Sequence, residues 1–266
     1  YSNADTRSVF DVGLHYQPVD GLLFRAAFSQ AFRAPNIGEL FGGQTQSNPA
    51  IEDPCADFST LTPEAVQRCV AQGVPADGSF MQSGNETPVF GGGNAALAPE
   101  QADVFTAGVS WRAPVLGGLD VALDYYDIDI DDAIGRLGGN TVLSQCLATG
   151  EAAFCDRIER DGDGNILRID TTLQNIASET ARGIDLSLAL AHGAGGGGAL
   201  SHSLTLSRVL ERDLVAFPGA APFVGVGEYD PDRFGAIPRW RGRYGLRWGR
   251  GRWQVGYRAQ WIGSPV

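Results

Sequence analysis

The sequence predicts an all-β fold, an antiparallel transmembrane β-barrel whose strands have one apolar and one polar face. Eight segments alternate apolar and polar residues, and the segments between them are alternately short and long. In 251–262, Trp253 and Val255 fall on one face, whereas Arg252 and Gln254 fall on the other. A period of two is typical of a strand with chemically different sides. Alternating short turns and long loops are typical of outer-membrane barrels.

The composition allows a membrane protein and argues against a nucleic-acid-binding one. The chain has 266 residues, of which 43% are hydrophobic, yet it contains no run of about 18 apolar residues that would form a membrane-crossing helix. A barrel strand needs only about 9–11 residues, with alternate ones apolar. The net charge of -11 is the opposite of the basic surface that nucleic acids require, so no nucleic-acid partner is expected.

The predicted strands are separated by three long loops. The strands lie at about 5–17, 21–32, 101–113, 119–131, 174–191, 199–210, 239–248 and 251–262, and the loops at 33–100, 132–173 and 211–237. A structureless loop of this length would count against a compact soluble domain. On an outer-membrane barrel, long loops on one side are expected.

The fourth predicted strand changes character after Tyr125. Leu119 to Tyr125 place apolar residues at odd positions, but Asp127 and Asp129 then occupy that same face. Seven residues of strand span about 20–25 Å, close to the lipid-facing band of a barrel. We expect the strand to leave the lipid near Tyr125 and to continue into water, with a β-bulge as the alternative explanation.

The first two long loops carry local signals of their own. Thr62 and Pro63 predict the start of a short helix over 62–72, and Asn140 predicts the cap of a second helix near 140–148. The run Asp161–Asn165 has the composition of a hairpin turn. The long loops are therefore expected to contain short helices and a hairpin.

Four cysteines occur as two local pairs in these loops, Cys55 with Cys69 and Cys146 with Cys155. Local pairs within loops are consistent with disulfides formed in an oxidising compartment such as the periplasm. Unpaired thiols, or one metal site that uses all four cysteines, are the alternatives. The close spacings typical of zinc ligands are missing, which favours the disulfides.

The sequence offers little support for a metal site or for catalysis. Asp161, Asp163 and Asn165 form a weak calcium candidate, because an EF-hand loop would need Gly and Glu where Ile166 and Thr172 stand. The chain has neither a His-based metal motif nor a serine-nucleophile motif, nor a phosphate-binding loop. We therefore expect no enzyme activity and no cofactor.

Pattern alone does not distinguish this barrel from a secreted β-sandwich, since both have two-faced strands. A sandwich would bury its apolar faces and expose its charged ones to solvent. The asymmetry of the loops and the Trp and Tyr residues near strand ends favour the membrane protein.

Several motifs then resemble the TonB-dependent outer-membrane receptors. Residues 32–41, FRAPNIGELF, look like an element of that family, and 94–100, NAALAPE, resemble the segment before the next strand. The run 119–134, the Cys146–Cys155 loop and the later Gly183-Ile184-Asp185 match as well. Each motif alone is weak, whereas their order along 24–190 is fairly specific.

The resemblance implies a 22-stranded barrel filled by an N-terminal plug domain, in the outer membrane of a Gram-negative bacterium with its long loops outside the cell. Residues 1–266 would be about eight strands of that single barrel domain, without the plug or the first and last strands. Such receptors take up an iron chelate, cobalamin or an oligosaccharide with energy delivered by TonB through the plug. The expected partners are therefore outer-membrane lipid, TonB and a small-molecule or oligosaccharide ligand.

Arg33, Asn36 and Glu39 are candidate ligand contacts, because they follow the second strand at the predicted extracellular end. The alternative is structural: Pro35 stiffens the end of the strand, and Arg33 pairs with a carboxylate. Two further functions stay open, a passive porin-like or small eight-stranded barrel and the secreted β-sandwich binding module.

Overall fold

The structure is a computed structural model that describes residues 8–82, 84–113, 118–230 and 235–264. Its elements in chain order are β1 (Asp11–Val19), β2 (Leu22–Arg33), α1 (Ile37–Phe41), β3 (Thr45–Ser47), α2 (Pro63–Ala71), β4 (Val89–Gly91), β5 (Glu100–Ala113), β6 (Leu119–Gly135), α3 (Gly139–Thr149), α4 (Ala152–Cys155), β7 (Ile158–Arg160), β8 (Ile166–Asp170), β9 (Gln174–Gly193), β10 (Ala199–Val215), β11 (Phe223–Val224), β12 (Tyr229–Asp230), β13 (Gly235–Ala236), β14 (Trp240–Arg250) and β15 (Trp253–Ile262). Two short 3-10 helices, Pro54–Ala56 and Phe58–Thr60, precede α2. Among the helices described here, none is long and apolar enough to cross a membrane.

The chain divides into two compact units. The first comprises Tyr1–Arg33, Pro99–Ala133 and Ile176–Val266. The second comprises Ala34–Ala98 and Ile134–Asn175, which are most of the first two long loops. These loops are therefore a folded body with a core of their own.

The first unit contains the main sheet, whose strands follow the order β1-β2-β5-β6-β9-β10-β14-β15. These are the eight strands that the sequence predicts. The pairs β1–β2, β2–β5, β5–β6, β9–β10, β10–β14 and β14–β15 are antiparallel. Over the described residues no pairing joins β1 to β15, so the sheet is open.

The register gives this sheet one apolar and one polar face, because directly paired residues of adjacent strands share a face. Phe24, Val109 and Leu123 form one apolar row across β2, β5 and β6. The apolar face is exposed: Leu14 is 66% accessible and Trp253 is 75% accessible. A β-sandwich would cover this face with a second sheet, so the sandwich alternative is wrong.

Strand β6 continues without interruption past Tyr125. Its pairing with β5 runs from Ala113↔Leu119 to Gln101↔Asp131 with no shift of register. The change from apolar to acidic residues on one face is therefore a change in sequence along a regular strand. The predicted continuation of the strand is confirmed, and the β-bulge alternative is wrong.

The predicted end of the sixth strand at residue 210 is wrong, since β10 extends to Val215. The register between β9 and β10 shifts between Val209 and Glu211, and pairing then resumes to Val215↔Ser178. Leu210 is thus accommodated in a bulge, which lets the strand continue. The predicted loop 211–237 also contains β11, which pairs with β10, and the pair β12–β13.

The predicted cap of the second loop helix is also wrong. The helix α3 begins at Gly139 with Gly138 as its N-cap, and no side chain caps it, so Asn140 lies inside the first turn. Gly139 is buried, and a side chain there would overlap Ile51. Close packing of a glycine therefore sets the start of this helix. Thr62, by contrast, caps α2 as predicted, since its hydroxyl accepts a hydrogen bond from the amide of Ala65 at 3.3 Å.

Two predicted features lie outside the described residues. They are the first residues of the opening strand, 5–7, and most of the turn between the third and fourth strands, 114–117.

The second unit is built on the small sheet β3-β4-β8-β7. Its β4–β8 pair is parallel and joins a strand of the first loop to a strand of the second. Arg68 of α2 donates hydrogen bonds to the carbonyls of Leu147 and Ala148 at the end of α3, at 2.7 and 2.8 Å. The two loops thus fold together as one unit.

We expect Leu188→Arg to destabilise the first unit by about 2–4 kcal/mol in a bilayer, because Leu188 lies opposite Leu204 on the face predicted to contact lipid. The matched control is Ser187→Arg, one residue away on the polar face. Reversible unfolding in guanidinium from phospholipid vesicles measures the free energy of unfolding of both variants. Equal effects of the two substitutions would show that the apolar face is not in lipid.

Candidate functional site

The polar face of the first unit carries cations that the sheet itself neutralises. Arg25 and Asp124 lie on strands separated by β5, with Gly108 between them in the same row. The Arg25 guanidinium donates to both Asp124 carboxylate oxygens, at 2.6 and 2.7 Å. A side chain at Gly108 would overlap the Asp124 carboxylate, so glycine is required for this contact. Arg112 similarly donates to Asp120 at 2.7 Å.

A charged cluster continues β6 beyond Tyr125. Arg182 of β9 donates to Asp127 at 2.6 Å, to Asp129 at 3.3 Å and to Glu211 of β10 at 2.6 Å. One guanidinium fork thus connects three strands. The sequence predicts a solvated acidic extension here, and the structure adds the arginine that partly neutralises it. Only the pairing of β6 with β9, across a long loop, brings Arg182 to the cluster, so no local pattern predicts it.

The three candidate ligand contacts all have local partners. Arg33 donates to Glu100, its directly paired neighbour on β5, at 2.8 Å. In the second unit the Asn36 side chain accepts from the amide of Glu39 at 2.9 Å, and the Glu39 carboxylate accepts from the amide of Asn36 at 2.7 Å. This reciprocal pair is a capping box at the start of α1. A role of these residues in ligand contact stays a prediction.

The four cysteines form two disulfides, Cys55–Cys69 and Cys146–Cys155. Cys55 and Cys69 belong to the core cluster of the second unit with Val74 and Phe80. Each disulfide closes a short loop and limits the freedom of the unfolded chain, a contribution of about 3 kcal/mol for loops of this length. The disulfides therefore help to fix a unit with a small core.

A buried ion pair joins the two long loops within the second unit. The Arg160 guanidinium donates to both carboxylate oxygens of Asp53, and their side chains are 2% and 1% accessible. Arg160 also donates to the carbonyl of Gly164 at 2.8 Å, and Asp53 accepts from the amide of Cys55 at 3.0 Å. Sequence reasoning misses this pair, because its partners lie 107 residues apart.

The weak calcium candidate is a closed hairpin turn between β7 and β8. The Asp161 carboxylate accepts hydrogen bonds from the amides of Asp163 and Asn165 and from the Asn165 side chain, at 2.8–3.0 Å. The Asn165 side-chain bond, the largest influence, lowers the pKa of Asp161 below its ordinary value. The turn is therefore stabilised at neutral pH and loses this contribution as the pH falls through the lowered pKa. Over the described residues no cluster of three His, Cys, Asp or Glu side chains could hold a metal ion.

Comparison with known proteins identifies the family to which this two-faced sheet belongs. The family model described as TonB dependent receptor-like, beta-barrel, matches residues 1–266. The chain belongs to the TonB-dependent receptor family. Members of this family are outer-membrane receptors and transporters of Gram-negative bacteria. No curated protein matches the chain in sequence.

Solved structures of siderophore receptors share the fold. The ferric enterobactin receptor PfeA from Pseudomonas aeruginosa, as its R480A mutant with enterobactin, has a TM-score of 0.56 and 15% identity over 96% of this chain and 28% of its own. The siderophore receptor PirA from Acinetobacter baumannii has a TM-score of 0.54 and 12% identity over 99% of this chain and 31% of its own. This chain thus spans less than a third of the length of these two receptors.

Substitution of Arg160 should open the second unit of this receptor chain selectively. Arg160→Met leaves Asp53 buried without its partner, which costs about 3–5 kcal/mol. We therefore expect the backbone amides of β8 and α2 to exchange hydrogen much faster in the detergent-solubilised protein. Amides of β10, in the first unit, should keep their rates.

The control for this experiment is Glu159→Gln, which removes an exposed charge from the same strand. The double variant Asp53→Leu/Arg160→Met removes both charges and should recover most of the protection, because no unpaired charge stays buried. Wild-type exchange rates in Arg160→Met would show that the ion pair does not hold the loops together.

Proposed function

We propose that this chain forms part of the barrel wall and outer loops of a receptor that takes up an iron chelate with energy from TonB. One observation carries the proposal: the model of the receptor barrel family matches the whole chain, and the main sheet of that chain has an exposed apolar face. Among the ligand classes that the family resemblance implies, iron chelates are favoured, because the two solved structures named above are a ferric enterobactin receptor and a siderophore receptor. Cobalamin and oligosaccharides are the less favoured ligands.

The two units have different roles in this proposal. The first unit lies in the outer membrane, with its apolar face in lipid and its polar face toward the lumen. The second unit lies outside the cell, where disulfides are stable, and shapes the surface that a ligand meets first. Its disulfides and its buried ion pair support this role, since a ligand-binding surface gains affinity from being rigid before the ligand arrives.

Uptake in a deletion strain tests the proposal. A strain that lacks this receptor should lose most of its accumulation of ⁵⁵Fe supplied as a siderophore complex, and the complete gene on a plasmid should restore it. A panel of catecholate, hydroxamate and citrate complexes identifies the chelate class. Vitamin B12 and maltodextrin uptake serve as controls for the other ligand classes.

Dependence on TonB distinguishes active transport from a passive pore. Deletion of tonB, or addition of a protonophore, should abolish the uptake that the plasmid restores. Uptake that persists without TonB would favour the passive barrel, and unchanged accumulation of every complex in the receptor deletion strain would contradict the iron-chelate proposal.

A further inference from the structure

Two of the three histidines in the chain lie side by side on the apolar face of the main sheet. His202 of β10 is paired directly with Leu190 of β9 and with Leu246 of β14, so all three side chains share that face. His192 lies on β9, two residues beyond Leu190 and one residue before the strand ends at Gly193. The register of the two strands therefore brings together two histidines that lie 10 residues apart.

The two imidazole rings approach each other through the same ring nitrogen. The Nε2 atoms of His192 and His202 are 3.3 Å apart. The rings are nearly parallel, at 13°, and their centroids are 5.4 Å apart. A tetrahedral zinc ion holds its nitrogen ligands at about 2.05 Å, which places two of them about 3.3 Å from each other. The pair thus has the spacing of one edge of a tetrahedral metal site.

The other nitrogen of each ring has a hydrogen-bonding partner. Nδ1 of His192 lies 3.1 Å from the carbonyl of Gly193. A carbonyl can only accept, so in the neutral ring this nitrogen carries the proton and Nε2 has a free lone pair. Nδ1 of His202 lies 2.8 Å from the hydroxyl of Tyr244, on the neighbouring strand β14. Outer partners of this kind fix the tautomer and the orientation of metal-binding histidines.

The Tyr244 hydroxyl, which can donate or accept, allows the pair two arrangements. Without a metal ion, Tyr244 donates to Nδ1 of His202, and Nε2–H of His202 donates to Nε2 of His192. With a metal ion, the His202 proton resides on Nδ1 and is donated to Tyr244, so both Nε2 lone pairs face one ion. His202 is neutral in both arrangements, and the change needs only the other tautomer and a rotated hydroxyl.

These contacts are complete within this chain. Strands β9, β10 and β14 each have both of their neighbours in the main sheet. In the proposed placement of the sheet, the histidines lie on the lipid side, opposite the face that lines the lumen and meets the plug. They also lie at the end of β9 that leads into a short turn, 193–198, and so near the edge of the apolar band.

The turn beside the histidines constrains the two strands only weakly. All residues of 193–198 except Ala194 are glycines, and Gly195, Gly196 and Gly197 have positive φ. Glycine loses more conformational freedom on folding than any other residue, and glycine-rich segments specify strand register weakly. A metal ion held by one residue of each strand would fix the register just before the turn.

We propose that His192 and His202 form a binding site for one divalent transition-metal ion, with zinc as the natural ligand and water in the remaining positions. Imidazole nitrogen suits zinc and copper, whereas calcium and magnesium prefer oxygen ligands. Tyr244 is a positioning residue that holds His202 in the metal-binding tautomer. The ion acts as a clip between β9 and β10, and it stabilises the hairpin because only the folded strands hold both histidines around it.

Titration calorimetry with zinc on the full-length receptor in detergent, without a histidine tag, tests the site. We expect His192→Ala and His202→Ala each to reduce the affinity of one site at least about a hundredfold, because a single imidazole cannot chelate the ion. Tyr244→Phe keeps both ligands and the aromatic ring, and should reduce the affinity about tenfold. Copper should bind the same site more tightly than zinc.

His15→Ala is the matched control, because His15 lies on β1 in one row with Arg25, on the polar face. It should leave zinc binding unchanged. Hydrogen exchange of the wild-type receptor is a second measurement, which decides the matter if a histidine variant does not fold. Zinc should slow the exchange of backbone amides in 189–193 and 199–203, whereas amides of β1 and β2 should keep their rates.

Three results would overturn the proposal. They are an unchanged zinc affinity in both variants of the pair, an equal loss in His15→Ala, and exchange rates in 189–193 and 199–203 that zinc does not alter. Two histidines that only share a proton would give the first and the third of these results. The proposal does not rest on iron-chelate uptake, and because binding is measured on purified protein, its failure leaves the uptake result unaffected.

Discussion

In the proposed placement of the first unit in the outer membrane, one requirement governs it: every backbone amide and carbonyl in lipid must be hydrogen-bonded. A sheet meets this requirement between its strands, and only its side chains then decide what each face contacts. The pleat sends successive side chains to opposite faces, so a strand with one face in lipid and one toward water must alternate. The ion pairs Arg25–Asp124 and Arg112–Asp120 occur on the polar face for this reason. Beyond Tyr125, where we predict that the strand leaves the lipid, β6 carries carboxylates on the formerly apolar face.

The second unit follows different rules, because its loops must build a small core. To its buried apolar residues it adds two disulfides, the parallel β4–β8 pair and the buried Arg160–Asp53 ion pair. All of these except the disulfides connect the two long loops to each other. Contacts between the two loops offset the conformational entropy that each loop loses when it becomes ordered. The chain can thus expose large loops without leaving them unstructured.

The sequence predicts the features that depend on residues close together in the chain. Alternation predicts all eight main strands and the continuation of β6, and Thr62 predicts α2, because period and capping depend on neighbouring residues. The predictions fail where contacts between residues far apart in the sequence determine the structure. The end of β10 depends on a bulge that keeps it paired with β9, and α3 begins where Gly139 fits against Ile51. The Arg160–Asp53 pair and the Arg182 cluster depend on contacts across long loops, which no local pattern encodes.

Spin labels along β6 test most directly the claim that one face of this sheet lies in lipid and that the strand leaves the lipid at Tyr125. Labels at Val121 and Leu123 should be accessible to oxygen and protected from a water-soluble nickel complex. Labels at Asp127 and Asp129, on the same face, should show the reverse, and the label at Ala122, on the polar face, should be accessible to nickel. Two results would contradict the account: oxygen accessibility that continues through Asp129, or a label at Ala122 that is as accessible to oxygen as those at Val121 and Leu123.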